Sequence, residues 1–459
     1  MATSQVSNRS GSVSSRNGPR GVVRASRTGA REKEKEWVRE RNPVRRFIKM
    51  LGPGLITGAS DDDPSGIGTY ATAGAQLGYT TLWMALFTFP LVASVQFICA
   101  KIGLVTGRGL AGVLRHHYPR RVLYPAVAGL VIANTINAGA DIGAIAAGVN
   151  LLVPIPLGIL IMPIGVLLLI LQIWGSYRLI ANIFKWLTLS LFAYIGASFL
   201  VKPNWTEVFR GTFIPTFRFD SKFLATIVAL LGTTISPYLF FWQTNQEVEE
   251  EISLGRKQLW QRQGTTEGEL RYAAWDVSTG MSFSIVVMYF IILATAATLH
   301  QAGQTKIDTA ADAAVALRPL AGNAAYILMA LGLIGTGLLA VPILTTSGAY
   351  AVCESFGWQW GLDKKLRGAK HFYFVIGAST IVALLINFLG IKPMNALFWT
   401  AVINGFIAPP LLAIIMLVAN NQSIMGKKVN GAGINLLGWI TTAVMFAAAI
   451  ALVLTWGQA

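Results

Sequence analysis

Three consecutive aspartates, Asp61, Asp62 and Asp63, lie inside an otherwise apolar stretch and are followed by Pro64, Ser65 and Gly66. A carboxylate at the centre of a hydrocarbon layer is disfavoured by roughly 2.5–3.5 kcal/mol on insertion scales. Three in succession would not be tolerated on a continuous, lipid-facing helix. In an unwound stretch each can turn elsewhere: to water, to a cation, or to the N-terminus of a following helix. Pro64 biases Asp63 away from helical geometry. Asp63 can therefore cap the half-helix that follows and still offer an oxygen to a cavity. Capping alone explains one aspartate and not three, so at least one is read as binding a cation or a proton.

A second stretch, Gly232-Thr233-Thr234-Ile235-Ser236-Pro237-Tyr238, interrupts a later apolar segment in the same way. Proline removes a backbone donor and glycine adds freedom, so backbone carbonyls around Gly232, Thr233 and Thr234 are expected to come free. Thr233, Thr234, Ser236 and Tyr238 add hydroxyl oxygens. Carboxylate, carbonyl and hydroxyl together form a hard-oxygen donor set suited to Mg²⁺, Mn²⁺ or Ca²⁺, and neither stretch contains His or Met. Between them, Asn137 and Asp141 stand four residues apart and share a helix face. They are a candidate proton relay, with an interhelical hydrogen bond as the structural alternative. Gln243, Gln246, Glu247, Glu249, Glu250 and Glu251 read as the solvated end of a helix, and less simply as an acidic vestibule.

These groups need a membrane-spanning frame. The chain of 459 residues is 54% hydrophobic and 13% charged, with mean hydropathy +0.55, whereas soluble domains carry about 25% charged residues. About eleven apolar segments long enough to cross a ~30 Å hydrocarbon core run from 51–78 to 434–456. The net charge of +16 reflects topology rather than a nucleic-acid-binding face. With the N-terminus placed in the cytoplasm, 30 of the 37 Lys and Arg residues fall on the cytoplasmic side. Residues 1–46 read as a disordered basic cytoplasmic tail able to touch anionic lipid, and 47–456 as the transmembrane domain. Cys99 and Cys353 form no disulfide framework or zinc set.

Segments one and six are both interrupted, five spans apart, which implies two halves of five helices with opposite topology. The expectation is an all-α membrane protein with a LeuT-type 5+5 inverted repeat, helices 1 and 6 broken at the midplane. The first repeat covers 51–201, the second 222–419, and 434–456 is an extra helix. In this frame unpaired backbone is tolerated only where protein or a water-filled cavity satisfies it.

Gly52-Pro53-Gly54, Asp63-Pro64-Ser65-Gly66 and Pro237 together resemble the NRAMP (natural resistance-associated macrophage protein) family of divalent metal transporters, over about residues 47–456. The resemblance implies import of Mn²⁺ or Fe²⁺, usually by symport with protons, with the metal as substrate and no resident cofactor. It places metal ligands at Asp63, the carbonyl of Thr233 and Ser236. The chain departs from the family pattern elsewhere. The family's Asp-Pro-Gly-Asn has its asparagine at Gly66, and its Met-Pro-His reads Ser236-Pro237-Tyr238. Of two acidic positions in the third segment, the first is Ala138 and the second Asp141. A thioether favours softer metals and penalises Mg²⁺ and Ca²⁺, so its loss moves selectivity toward a hydrated hard ion such as Mg²⁺. Small Gly66 and Ser236 are expected to leave room for that ion's waters. Asp61, Asp62, Ser65, Gly66, Thr234 and Tyr238 are further candidates for the substrate site.

The expected function is secondary divalent-metal transport by alternating access in a bacterial inner membrane, in a chain that is not an enzyme. The competing reading is a LeuT-type carrier for an organic cation or amino acid; a channel or a metal sensor is a third. No phosphate-binding loop supports ATP hydrolysis.

Overall fold

The computed structural model describes residues 52–174, 189–362 and 364–455. The basic tail and part of the fifth apolar segment therefore lie outside the described residues. The rest is helical. The first segment is a broken pair, α1 (Pro53–Asp61) and α2 (Pro64–Leu77). Then come α3 (Trp83–Thr106), α4 (Arg120–Leu152), α5 (Leu157–Trp174) and α6 (Ala193–Leu200). A second broken pair follows, α7 (Ser221–Thr234) and α8 (Pro237–Ser253). The chain ends with α9 (Glu267–Thr295), α10 (Ala325–Phe356), α11 (Lys370–Ile386), α12 (Pro393–Ala419) and α13 (Ala432–Thr455). Among the described residues, nine helical stretches are long and apolar enough to cross a membrane, the α7–α8 pair counting as one.

Burial sorts these helices into an inner and an outer set. The most apolar part of the α7–α8 stretch is 94% buried within the protein, whereas those of α5 and α13 are 33% buried. The outer helices expose Ile159, Val166, Phe374, Leu385, Val453 and Leu454. Such apolar flanks belong against lipid tails, because water would not favour them. Inside, α1 packs on α8 and α9, α2 on α7, α9 and α12, and α4 on α10. The two broken pairs thus lie against each other, with α4, α9, α10 and α12 around them.

Small residues allow the close crossings, as is common where helices meet in lipid. A Cβ on Gly58 of α1 would strike the backbone of Gly280 in α9, and one on Gly232 would strike the backbone of α12 at Ala401 and Gly405.

Loops expected on one side of the membrane meet at one end of the bundle. There Gly264 N donates to Val105 O at 2.9 Å, and Lys101 Nζ donates to Val429 O at 2.9 Å. At the other end His300 Nδ1 lies 2.8 Å from Ala75 O, and Lys392 pairs with Asp308 at 3.4 Å.

Candidate metal site

The two breaks are built alike. In each, one residue leaves the helix, the next begins the following half-helix, and a proline takes its first position: Asp62-Asp63-Pro64 and Ile235-Ser236-Pro237. Proline suits that position because the amide there has no intrahelical acceptor.

The capping chemistry differs between them. Asp63 Oδ1 accepts from Gly66 N and from Ser65 Oγ, both at 2.7 Å, and so caps α2. Asp63 Oδ2 accepts from Asn137 Nδ2 of α4 at 3.0 Å. Ser236 does not cap α8. Its Oγ turns back to Gly232 O at 2.8 Å and Thr233 O at 2.6 Å. The carbonyls expected to be free at Gly232 and Thr233 therefore already receive the one Ser236 hydroxyl hydrogen. Each carbonyl keeps a second lone pair, as does the serine oxygen. Thr233 Oγ1 lies 3.3 Å from Ser65 Oγ, which links the two breaks directly. Thr234 Oγ1 donates to Leu230 O at 2.7 Å, within its own helix.

The run of aspartates splits in direction. Asp63 faces α4 and the α2 N-terminus. Asp61 and Asp62 turn to α9, where Ser284 Oγ lies 2.5 Å from Asp61 Oδ2 and 3.1 Å from Asp62 Oδ1. All three carboxylates are buried, at 0%, 5% and 1% exposure. Among the described residues none of them forms an ion pair.

Asp141 is 0% exposed, and neither of its carboxylate oxygens has a hydrogen bond of good geometry, the Ser65 amide being the donor beside it. Asp63 is the charge nearest in effect to it. Asn137, one turn away on the same face, spends its amide on Asp63 and leaves its own buried Oδ1 without a partner. Three buried acceptor oxygens from α4 thus join Asp63, with only the Ser65 amide beside Asp141 to answer them. A buried acceptor left unpaired is disfavoured by about 1–3 kcal/mol, more when charged. A cation satisfies several at once. The groups facing Asp63 and Asp141 are hard oxygens; a thioether, Met288 Sδ, lies 3.9 Å from Thr234 Oγ1. Among the described residues no three His, Cys, Asp or Glu side chains form a ready-made metal cluster. Two carboxylates with neutral oxygens suit an ion that must also leave.

Gly66 does not provide the expected room. A Cβ there would lie 3.2 Å from Asp61 O, 3.3 Å from Tyr70 Cε2 and 3.4 Å from Thr233 Oγ1. The Tyr70 ring occupies the space that a hydration shell was expected to use. Tyr238 is also committed, donating to Ser60 O at 2.6 Å and so tying α8 to the C-terminal end of α1.

The helix end beyond the site corrects another expectation. Gln243, Glu247 and Glu251 are buried, not solvated. Thr57 Oγ1 donates to Gln243 Oε1 at 2.5 Å and Gln243 Nε2 donates to Glu247 Oε1 at 2.8 Å, a polar chain along the α1–α8 seam. Arg256 closes it, 2.5 Å from Glu251 and 2.8 Å from Glu269. Burial lowers the Arg256 pKa, but the Glu251 and Glu269 carboxylates more than offset this and hold it above the ordinary guanidinium value. Sequence reasoning missed Ser284, Tyr70 and this seam. A serine or tyrosine in an apolar helix carries no spacing signal; only the fold shows which carboxylate it meets.

A family model of natural resistance-associated macrophage protein-like (Nramp) proteins matches residues 54–455. The chain belongs to the Nramp family. It is accordingly a transporter of divalent metal cations, as its motifs implied. Solved structures agree on the fold. The Eremococcus coleocola manganese transporter, in complex with an aromatic bis-isothiourea compound, aligns at TM-score 0.70 and 18% identity, covering 91% of this chain and 87% of that one. Mhp1, a nucleobase-cation-symport-1 family transporter, aligns at TM-score 0.56 and 14% identity, covering 88% and 91%. MhsT in complex with L-phenylalanine aligns at 0.52 and 14%, covering 88% and 97%. These neighbours place this Nramp chain in the LeuT fold and leave its cargo to its own residues.

Proposed function

We propose that this Nramp protein moves a hard divalent cation, Mg²⁺ or Mn²⁺ before Fe²⁺, by alternating access around the paired breaks. The observation that carries the reading is the set of buried oxygens of Asp141 and Asn137, without hydrogen bonds of good geometry, beside Asp63. Asp63 and Asp141 supply the charge; Asn137 Oδ1, the Thr233 carbonyl and Ser236 Oγ supply neutral oxygens. Without a thioether, the donors do not penalise Mg²⁺. Mg²⁺ dehydrates reluctantly and holds near-octahedral geometry, so a few protein oxygens with retained waters suit it. The waters belong on the Asp141 side, since Tyr70 fills the Gly66 side. The buried seam from Thr57 through Gln243 to Glu247 is the proposed cytoplasmic route, opened when α1 parts from α8.

Proton coupling is proposed to rest on Asp141, the one acid that remains of the α4 pair the family resemblance implies. The N-terminus is proposed to be cytoplasmic, in a bacterial inner membrane, from the distribution of basic residues. The test is uptake of Mg²⁺, Mn²⁺ and Fe²⁺ into proteoliposomes with and without a pH gradient. Saturable Mg²⁺ or Mn²⁺ uptake supports the reading. Uptake of an organic amine with none of these metals would overturn it.

A further inference from the structure

We infer that Asp61, Asp62 and Ser284 form a second cation site beside the Asp63 site, taking a hard divalent cation such as Mg²⁺. This rests on the reading of the break as a metal site and adds a second ion to it. The Asp61 and Asp62 side chains do not share partners with Asp63. They face α9, while Asp63 faces α4 and the start of α2.

Ser284 Oγ is within hydrogen-bond distance of both Asp61 Oδ2 and Asp62 Oδ1. A serine hydroxyl has one hydrogen, so it serves one of the two at a time. Asp61 Oδ1 is buried with no partner at all. No described Lys, Arg or His forms an ion pair with either carboxylate. Two buried carboxylates on adjacent residues, sharing one hydrogen, are neutralised by a proton or by a cation between them, and a divalent cation answers both at once.

An independent group points to the same place. Tyr70 of α2 is 0% exposed, its hydroxyl has the Thr234 hydroxyl as its neighbouring hydrogen-bonding group, and Asp61 and Asp62 are the charges that act on it most. It offers a neutral oxygen beside two carboxylates and a serine, which completes a hard-oxygen set of the kind Mg²⁺ accepts together with waters. The mount is rigid. Ser284 stands one turn from Gly280, whose backbone touches α1 at Gly54 and Gly58. Charge also counts in favour of two ions. Asp61 with Asp62, and Asp63 with Asp141, make two carboxylate pairs, each matched by one divalent cation.

The test counts ions. Purified full-length protein is dialysed to equilibrium against Mg²⁺ or Mn²⁺, and bound metal per chain is measured for the wild type and for Asp62→Asn, Ser284→Ala and Asp63→Asn. Size-exclusion profiles confirm that each variant is folded, and Ser284→Ala removes only one oxygen. The expected result is two ions per chain in the wild type and one in Asp62→Asn. Ser284→Ala is expected to weaken the second ion about tenfold or more. Asp63→Asn should retain the α9-side ion. One ion in the wild type that is lost in Asp63→Asn and untouched by the other changes would overturn the second site and leave the proposed function standing. A single ion lost in every variant means one shared site, which also overturns it. No bound ion in the wild type would sink both readings.

Discussion

Asp63 is held by three hydrogen bonds from Ser65, Gly66 and Asn137, as a structural aspartate would be. What makes its surroundings a binding site is Asp141, whose two oxygens make no hydrogen bond of good geometry in a fully buried position. Asp141→Asn keeps the shape and removes the charge. It is expected to weaken metal binding at least tenfold, about 1.4 kcal/mol, by calorimetry; unchanged affinity would remove Asp141 from the site. Ser236→Met places a thioether in the second break. Competition uptake should then shift toward Mn²⁺ over Mg²⁺, and an unaltered ratio would show that position 236 does not set selectivity. The motif around Asp63 was legible in sequence because three carboxylates beside a proline in an apolar run are too costly to persist without a polar role. The room expected at Gly66 was not, because the Tyr70 ring that fills it comes from one turn further along α2. Ser284 was invisible for a related reason: its meaning lies in two partners more than 200 residues away.

The half-helix α1 is held from outside. Asp276 of α9 accepts from Gly52 N at 2.8 Å, Gly54 N at 2.6 Å and Leu55 N at 3.3 Å, capping a helix start that α1's own residues do not cap. A carboxylate at a helix N-terminus satisfies orphan amides and meets the positive end of the helix dipole. Glu354 of α10 does the same for the short helix Leu110–His117, accepting from Gly109 N at 2.9 Å and Gly112 N at 3.0 Å. Asp276→Ala is expected to destabilise the protein by about 1–3 kcal/mol, seen as a lower unfolding temperature in detergent. It should also speed thiol labelling of a cysteine at Thr57, since α1 then parts more readily from α8 and α9. Equal labelling rates would mean that Asp276 does not latch α1. Helix positions and the two breaks followed from hydropathy and proline placement. The buried end of α8 did not, since its glutamates read as solvated until Gln243 and Arg256 were seen against them.

At the scale of the whole molecule, loops that alternate along the chain gather at two opposite ends, and the paired breaks lie between them. Exposed apolar side chains on α5, α11 and α13 form its lipid-facing flanks. A cavity of about 690 Å³ opens among Thr72, Lys222, Asp308 and Asn395 at the end opposite Arg256. Met394 of α12 lines it, and Leu397 and Met394 pack against Gly68 of α2. The measurement that bears most directly on the account is metal uptake into proteoliposomes by the wild type and Asp63→Ala, reconstituted to equal density. The account predicts saturable Mg²⁺ or Mn²⁺ uptake in the wild type and none above empty liposomes in the variant. Undiminished uptake by Asp63→Ala would contradict it.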